Sequence, residues 1–130
     1  MKLYLDADIF LALIKENDRF KESARAFFAK YKSFELVTST LTCMEVWFYL
    51  YRNNLKDKAL DSIRAIIAIC KILTYDLFDL ENSIMLAEHH NLTPADAVHA
   101  TLGMKHDMIV SSDTSFDRVH GLKRLDFTKL

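Results

Sequence analysis

Short, almost uninterrupted apolar runs alternate in this chain with longer segments whose apolar residues recur at helical spacing. That alternation does most to limit the possible folds. Lys2–Leu5, Phe34–Thr38, Ile72–Tyr75 and Met108–Ser111 read as strands, and Leu122–Phe127 as a fifth. Between the first two strands, Ile9–Ile14 read as a short helix. Phe20, Ala24, Phe27, Phe28 and Tyr31 then form one helical stripe backed by Lys and Arg. A helix following Thr42 carries Val46 with Leu50 and Trp47 with Tyr51. After the polar link RNNLKDK, helical spacing resumes through Ala59, Ile63, Ile66, Ile67 and Cys70. Asp76 or Asp79 is placed to cap a helix ending at His90. Thr93 as N-cap and Pro94 at the first helical position open another, ending near Lys105. Strands this short and this apolar have no face to offer water. The expected fold is α/β, a parallel sheet covered by helices on both faces.

The 130 residues contain no linker, repeat or low-complexity tract, so a single domain over residues 1–130 is expected. Two glycines and one proline do not suit an all-β chain full of tight turns. The net charge of −1 supplies no global field for nucleic acid, so such a partner would need local basic patches. Cys43 and Cys70 match no zinc spacing and make no disulfide framework; they read as buried thiols in a reducing compartment. The first apolar run breaks at Asp6, unlike a signal peptide, and no stretch is apolar for long enough to span a membrane. The expected location is the cytoplasm, with no membrane partner.

The run LYLDADIFLAL, Leu3–Leu13, places Asp6 and Asp8 where a strand ends in the core. A carboxylate removed from water is costly unless it is paired, hydrogen-bonded or bound to a cation. Asp113 and Asp117 follow the MIVSS strand. Glu45 is expected in the first turn of the helix after the second strand, and Asp96 in the first turn of the Pro94 helix. Ligands of open α/β sheets bind at the carboxyl ends of the strands, so these acids can share one cleft. Each also has a structural explanation. Thr42-Cys43-Met44-Glu45 and Thr93-Pro94-Ala95-Asp96 have capping-box spacing, and Asp6, Asp8 and Asp113 can cap the turns they precede. If the acids do converge, unit charges 4 Å apart repel by roughly 4 kcal/mol at an effective dielectric of ~20. No Lys or Arg adjoins Asp6, Glu45, Asp96 or Asp113 in sequence. Hard oxygen ligands suit Mg²⁺ or Mn²⁺ better than zinc.

In order and spacing, LYLDADIFLALI, TSTLTCMEVWFYL and LTPADAVHATLGMKHDMIVSSDTSFDRVHGLKRL resemble the PIN domain, in particular the VapC-like toxin ribonucleases of toxin–antitoxin pairs. The resemblance spans nearly the whole chain. It implies a three-layer α/β/α sandwich around a central parallel sheet. It also implies a metal-dependent endoribonuclease in which Asp6, Glu45, Asp96 and Asp113 hold Mg²⁺ or Mn²⁺, with Asp117 as an additional acid. The implied partners are an RNA substrate, an antitoxin and a second copy of the chain as a homodimer. Asp6-Ala7-Asp8 departs from the family's usual Asp-Thr-Asn or Asp-Ser-Asn. Asp8 is expected to face away from the cleft and cap a helix.

His99, three residues after Asp96, is expected to be a core or helix-surface histidine rather than a ligand. Trp47, Phe48, Tyr49 and Tyr51 cover more than one face of their helix. The face turned from the core is either covered by a neighbouring helix or is an interface. Lys15, Arg19, Lys21, Arg25, Arg52, Lys56 and Lys58 can contact phosphates but read mainly as solvated helix faces. Two other functions fit parts of the pattern. LDAD suggests a phosphoaspartyl phosphatase, but Ile9-Phe10 stand where Gly-Thr is expected and Glu45 is left idle. A non-catalytic module of the same fold, acting through its aromatic helix, is the other.

Overall fold

The computed structural model describes residues 1–130. Five parallel strands, β1 (Lys2–Leu5), β2 (Glu35–Ser39), β3 (Lys71–Leu73), β4 (Met108–Val110) and β5 (Arg124–Leu125), form one sheet in the order β3-β2-β1-β4-β5. The alternation of side chains along β1 separates the two faces. Leu3 and Leu5 join the larger core cluster with residues of α1 (Ala7–Ile14), α2 (Lys21–Lys30), α3 (Thr40–Arg52) and α4 (Lys56–Ile69). Tyr4 turns the other way, toward α6 (Pro94–Gly103), where Ala97, Ala100 and Leu102 pack with Ile109 and Phe116; α5 (Leu77–His90) packs against α6. The result is the expected three-layer sandwich, with four helices on one face and two on the other.

Strand order also places the cleft. From β1 the chain moves outward through β2 and β3, then returns to the other side of β1 for β4 and β5. The direction of winding reverses between β1 and β4, and such a switch point leaves a crevice beyond the carboxyl ends of those strands. Asp6 follows β1 directly, its N–H donating to the Val110 carbonyl at 3.0 Å, and Ser111, Ser112 and Asp113 follow β4.

Several local expectations are corrected. The helix after β2 begins at Thr40, not after Thr42: Ser39, still extended at φ −139°, is its N-cap and accepts from the Thr42 N–H. Glu45 therefore lies in the second turn and is not part of a capping box. Asp76 and Asp79 share the start of α5, each side chain bonding the other's backbone N–H. The third strand is Lys71–Leu73 rather than Ile72–Tyr75. The fifth is only Arg124–Leu125, because Asp126 caps a 3₁₀ turn over Phe127–Lys129 that buries Phe127. Thr93 and Pro94 open α6 as expected, and His89 and His90 lie in the last turn of α5. Cys43 and Cys70 are both buried free thiols. No helix is long and apolar enough to cross a membrane.

Candidate active site

The carboxyl edge of β1 and β4 gathers most of the acids singled out above. Asp6 is buried, caps α1 by accepting from the Ala7 N–H at 2.7 Å, and accepts from the Ser111 hydroxyl at 2.8 Å. The same Ser111 oxygen accepts from the Asp113 N–H at 3.0 Å. Asp113 caps the 3₁₀ turn Thr114–Arg118, taking the Ser115 N–H at 2.9 Å, and the Ser115 hydroxyl donates to Asp96 at 3.4 Å. Asp6, Asp113 and Asp96 thus follow one another along a line of serine bridges. On the other side of Asp6 stands His99, its Nε2 3.4 Å from Asp6 Oδ1 and hydrogen-bonded to Glu45 Oε1.

Two expectations about this edge change. Asp8 does not face away to cap a helix. Its Oδ2 accepts from the Ser112 N–H at 2.7 Å, and from the Ser112 and Ser111 hydroxyls, beside Asp6. Asp117 is not brought into the group: both its oxygens are held by Arg124, at 2.9 and 3.0 Å, and it is largely exposed. The outer guanidinium nitrogen of Arg124 also donates to the Ser111 carbonyl at 3.1 Å, so the pair supports the segment behind Asp113.

His99 is the residue sequence reasoning undervalued. It is 1% exposed, so the core reading holds, but its polar edge faces the acids. Its Nδ1 lies 2.8 Å from the buried Tyr4 hydroxyl, itself 2.7 Å from Ser39 Oγ. The available signal was register: Tyr4 points to the α6 side of the sheet, and His99 stands one turn after Asp96 on that helix.

Crowding shows in the protonation equilibria. Burial, then the Asp8 charge, raises the Asp6 carboxyl from an ordinary 3.8 to about 6 against the opposing pull of His99 and Ser111. Burial raises Asp8, and burial with Asp113 raises Asp96. Burial alone would lower His99, but the Glu45 hydrogen bond and the charges of Asp6, Glu45 and Asp96 raise it overall. The edge has more acceptors than donors, and buried Asp8 Oδ1 has no partner at all. A divalent cation suits such a site. Ligand atoms of Asp6, Glu45 and His99 all lie within 4.8 Å of one another.

This fold, with acids gathered at its switch point, defines a class. The PIN domain family model matches residues 3–122, and the chain belongs to that family. Solved structures share the fold at low identity. VapC20 of Mycobacterium tuberculosis, described as a sarcin-ricin loop cleaving toxin, superposes with a TM-score of 0.78 at 17% identity, covering 88% of this chain and 92% of that one. FitAcB from Neisseria gonorrhoeae gives 0.79 at 16% identity, covering 98% and 99%. DNA-bound VapBC from Salmonella typhimurium gives 0.77 at 21% identity, covering 98% of each chain. No curated protein matches the chain.

Proposed function

We propose that the chain is a metal-dependent endoribonuclease, the toxin of a toxin–antitoxin pair. The observation that carries this reading is the cluster of Asp6, Glu45 and His99, whose ligand atoms lie within 4.8 Å of one another, with Asp113 and Asp96 tied to the same edge through Ser111 and Ser115. PIN family membership and fold neighbours described as a cleaving toxin and as VapBC support it. Asp6, Asp96 and Asp113 are assigned as ligands of Mg²⁺ or Mn²⁺. Glu45, one-third exposed in side chain and free of any capping duty, is assigned to the ion or to orienting the attacking water. A bound divalent ion supplies charge neutralisation for the phosphodiester and acidifies that water. Ser111 and Ser115 hold the carboxylates in place, and the Asp117–Arg124 pair holds the strand end that carries them.

The phosphoaspartyl reading is less well supported, because it needs Asp8 as a mobile acid–base and Asp8 is tied to Ser112. The exposed face of α3 is assigned to partners. Met44, Trp47, Phe48 and Tyr51 are 41–58% exposed, and a groove of ≈ 640 Å³ runs along this helix from Glu45 to Arg52 and Asn53. An apolar face beside the acidic edge suits an antitoxin segment or a second copy of the chain.

The test is cleavage of single-stranded RNA by purified protein. Activity is expected with Mn²⁺ or Mg²⁺ and none in EDTA. Cleavage that persists in EDTA, or in an Asp96→Asn variant, overturns the assignment; Mn²⁺ that fails to bind at millimolar concentration favours the non-catalytic module instead. Asp117→Asn is expected to leave the cleavage rate unchanged, because Arg124 keeps its contacts with the Ser111 carbonyl and Asp126, and to cost about 1 kcal/mol in denaturant unfolding, since the carboxylate removed is itself 54% exposed.

A further inference from the structure

His99 lies outside the all-carboxylate set, yet at 1% exposed it is more enclosed than Asp6 at 8%. Its Nε2 faces Glu45 Oε1 and Asp6 Oδ1, two acceptors, so the nitrogen must carry a proton or a cation. The other side of the ring admits the second choice. Nδ1–H can donate to the Tyr4 oxygen at 2.8 Å, and Tyr4 O–H to Ser39 Oγ at 2.7 Å. Ser39 Oγ receives the Thr42 N–H on its remaining lone pair. Nδ1, the Tyr4 hydroxyl proton and both Ser39 Oγ lone pairs are then paired, and the Nε2 lone pair points at the carboxylates. Metal-bound histidines characteristically donate their second N–H to such a partner, which fixes the tautomer and the ring plane.

Resting on the metal-site reading above, we propose that His99 is a nitrogen ligand of the bound ion, completing a site with Asp6 and Glu45, and that Tyr4 and Ser39 are the residues that orient it. Imidazole favours transition ions over Mg²⁺. The site accordingly selects Mn²⁺ over Mg²⁺ more strongly than carboxylates alone would.

The experiment is pulsed electron paramagnetic resonance on the wild-type protein loaded with Mn²⁺. A directly coupled ¹⁴N signal is expected, replaced by ¹⁵N coupling when histidine alone is labelled, and absent in His99→Asn. Tyr4→Phe keeps the nitrogen but removes its partner, and is expected to weaken Mn²⁺ binding about 10- to 100-fold with the coupling retained. Preference for Mn²⁺ over Mg²⁺, measured by competition, is expected to fall in His99→Asn. Mn²⁺ that binds wild type without nitrogen coupling, and is lost in Asp6→Asn, overturns the role of His99 and leaves the carboxylate site standing. Wild type that binds no Mn²⁺ overturns both. The wild-type spectrum decides the question even if His99→Asn fails to fold.

Discussion

Asp6→Asn is expected to lower metal-dependent RNA cleavage by on the order of 10³-fold, the size of loss that follows removal of a single preorganised electrostatic group from an active site. The same change is expected to stabilise the metal-free protein at neutral pH. Asp6 is forced to ionise while buried beside Asp8, and its displacement from 3.8 to about 6 corresponds to as much as about 3 kcal/mol of unfavourable free energy at pH 7. Asparagine keeps the acceptor that caps α1 through Ala7 N–H and faces the Ser111 hydroxyl with an amide that carries no charge. Opposite signs for activity and stability are the mark of a group held at a functional site against its own preference. Cleavage rates with Mn²⁺ and urea unfolding in EDTA check the two halves. A variant that cleaves within about tenfold of wild type removes Asp6 from the chemistry. A variant that loses stability as well as activity shows that the Asp6 charge is favourably paired in the metal-free fold, and overturns the second half, because asparagine caps a helix as well as aspartate does.

The gathering of acids was legible because it depends on topology, and topology follows from the alternation of apolar runs with helical stripes. Once β1 and β4 are neighbours in a parallel sheet, Asp6 and Asp113 must meet at one edge. Glu45 was placed on the right helix but in the wrong turn. Thr42 and Glu45 have capping-box spacing, and the spacing alone gives no sign that Ser39, the last residue of β2, has already taken the cap. Asp8 was misread for a related reason. Its partners Ser111 and Ser112 are more than a hundred residues away, so local preference for a helix start was the only visible influence. Asp117 follows the strand as predicted, but Arg124, seven residues on, claims both its oxygens. His99 was the largest gap. Its polar edge is turned to the acids by Tyr4, on a strand 95 residues earlier, and nothing in the sequence near His99 records that contact.

The metal-free protein is expected to be most stable near about pH 4–5 and to lose stability as the pH rises toward 8, with Mn²⁺ abolishing the loss. Asp6, Asp8 and Asp96 all hold their protons more tightly in the folded state, chiefly because they are buried. Between the ordinary 3.8 and the raised folded value, about 6 for Asp6, the unfolded chain has released these protons and the folded one has not, so stability falls as the pH rises. His99 acts in the same direction over a higher range. Its raised value means that charged His99 stabilises the fold fully below 6.5, and that this is lost as the pH climbs through the folded value. The acidic limit comes from elsewhere. Asp79, held low by the Lys105 ammonium, and Asp117, held low by Arg124, stabilise the fold above 3.8 and cease to do so as the pH falls through their depressed values. A bound divalent ion replaces protons at the crowded edge, so its affinity rises with pH, and an ion at about 100 times its Kd adds about 2.7 kcal/mol. Thermal unfolding across this range, in EDTA and in Mn²⁺, makes the comparison. The melting temperature in EDTA should fall from pH 5 to 8, the Mn²⁺ increment should grow over the same interval, and Asp6→Asn should flatten the first while removing the second. An increment of equal size at pH 5 and pH 8 would mean that the ion binds somewhere other than these carboxylates.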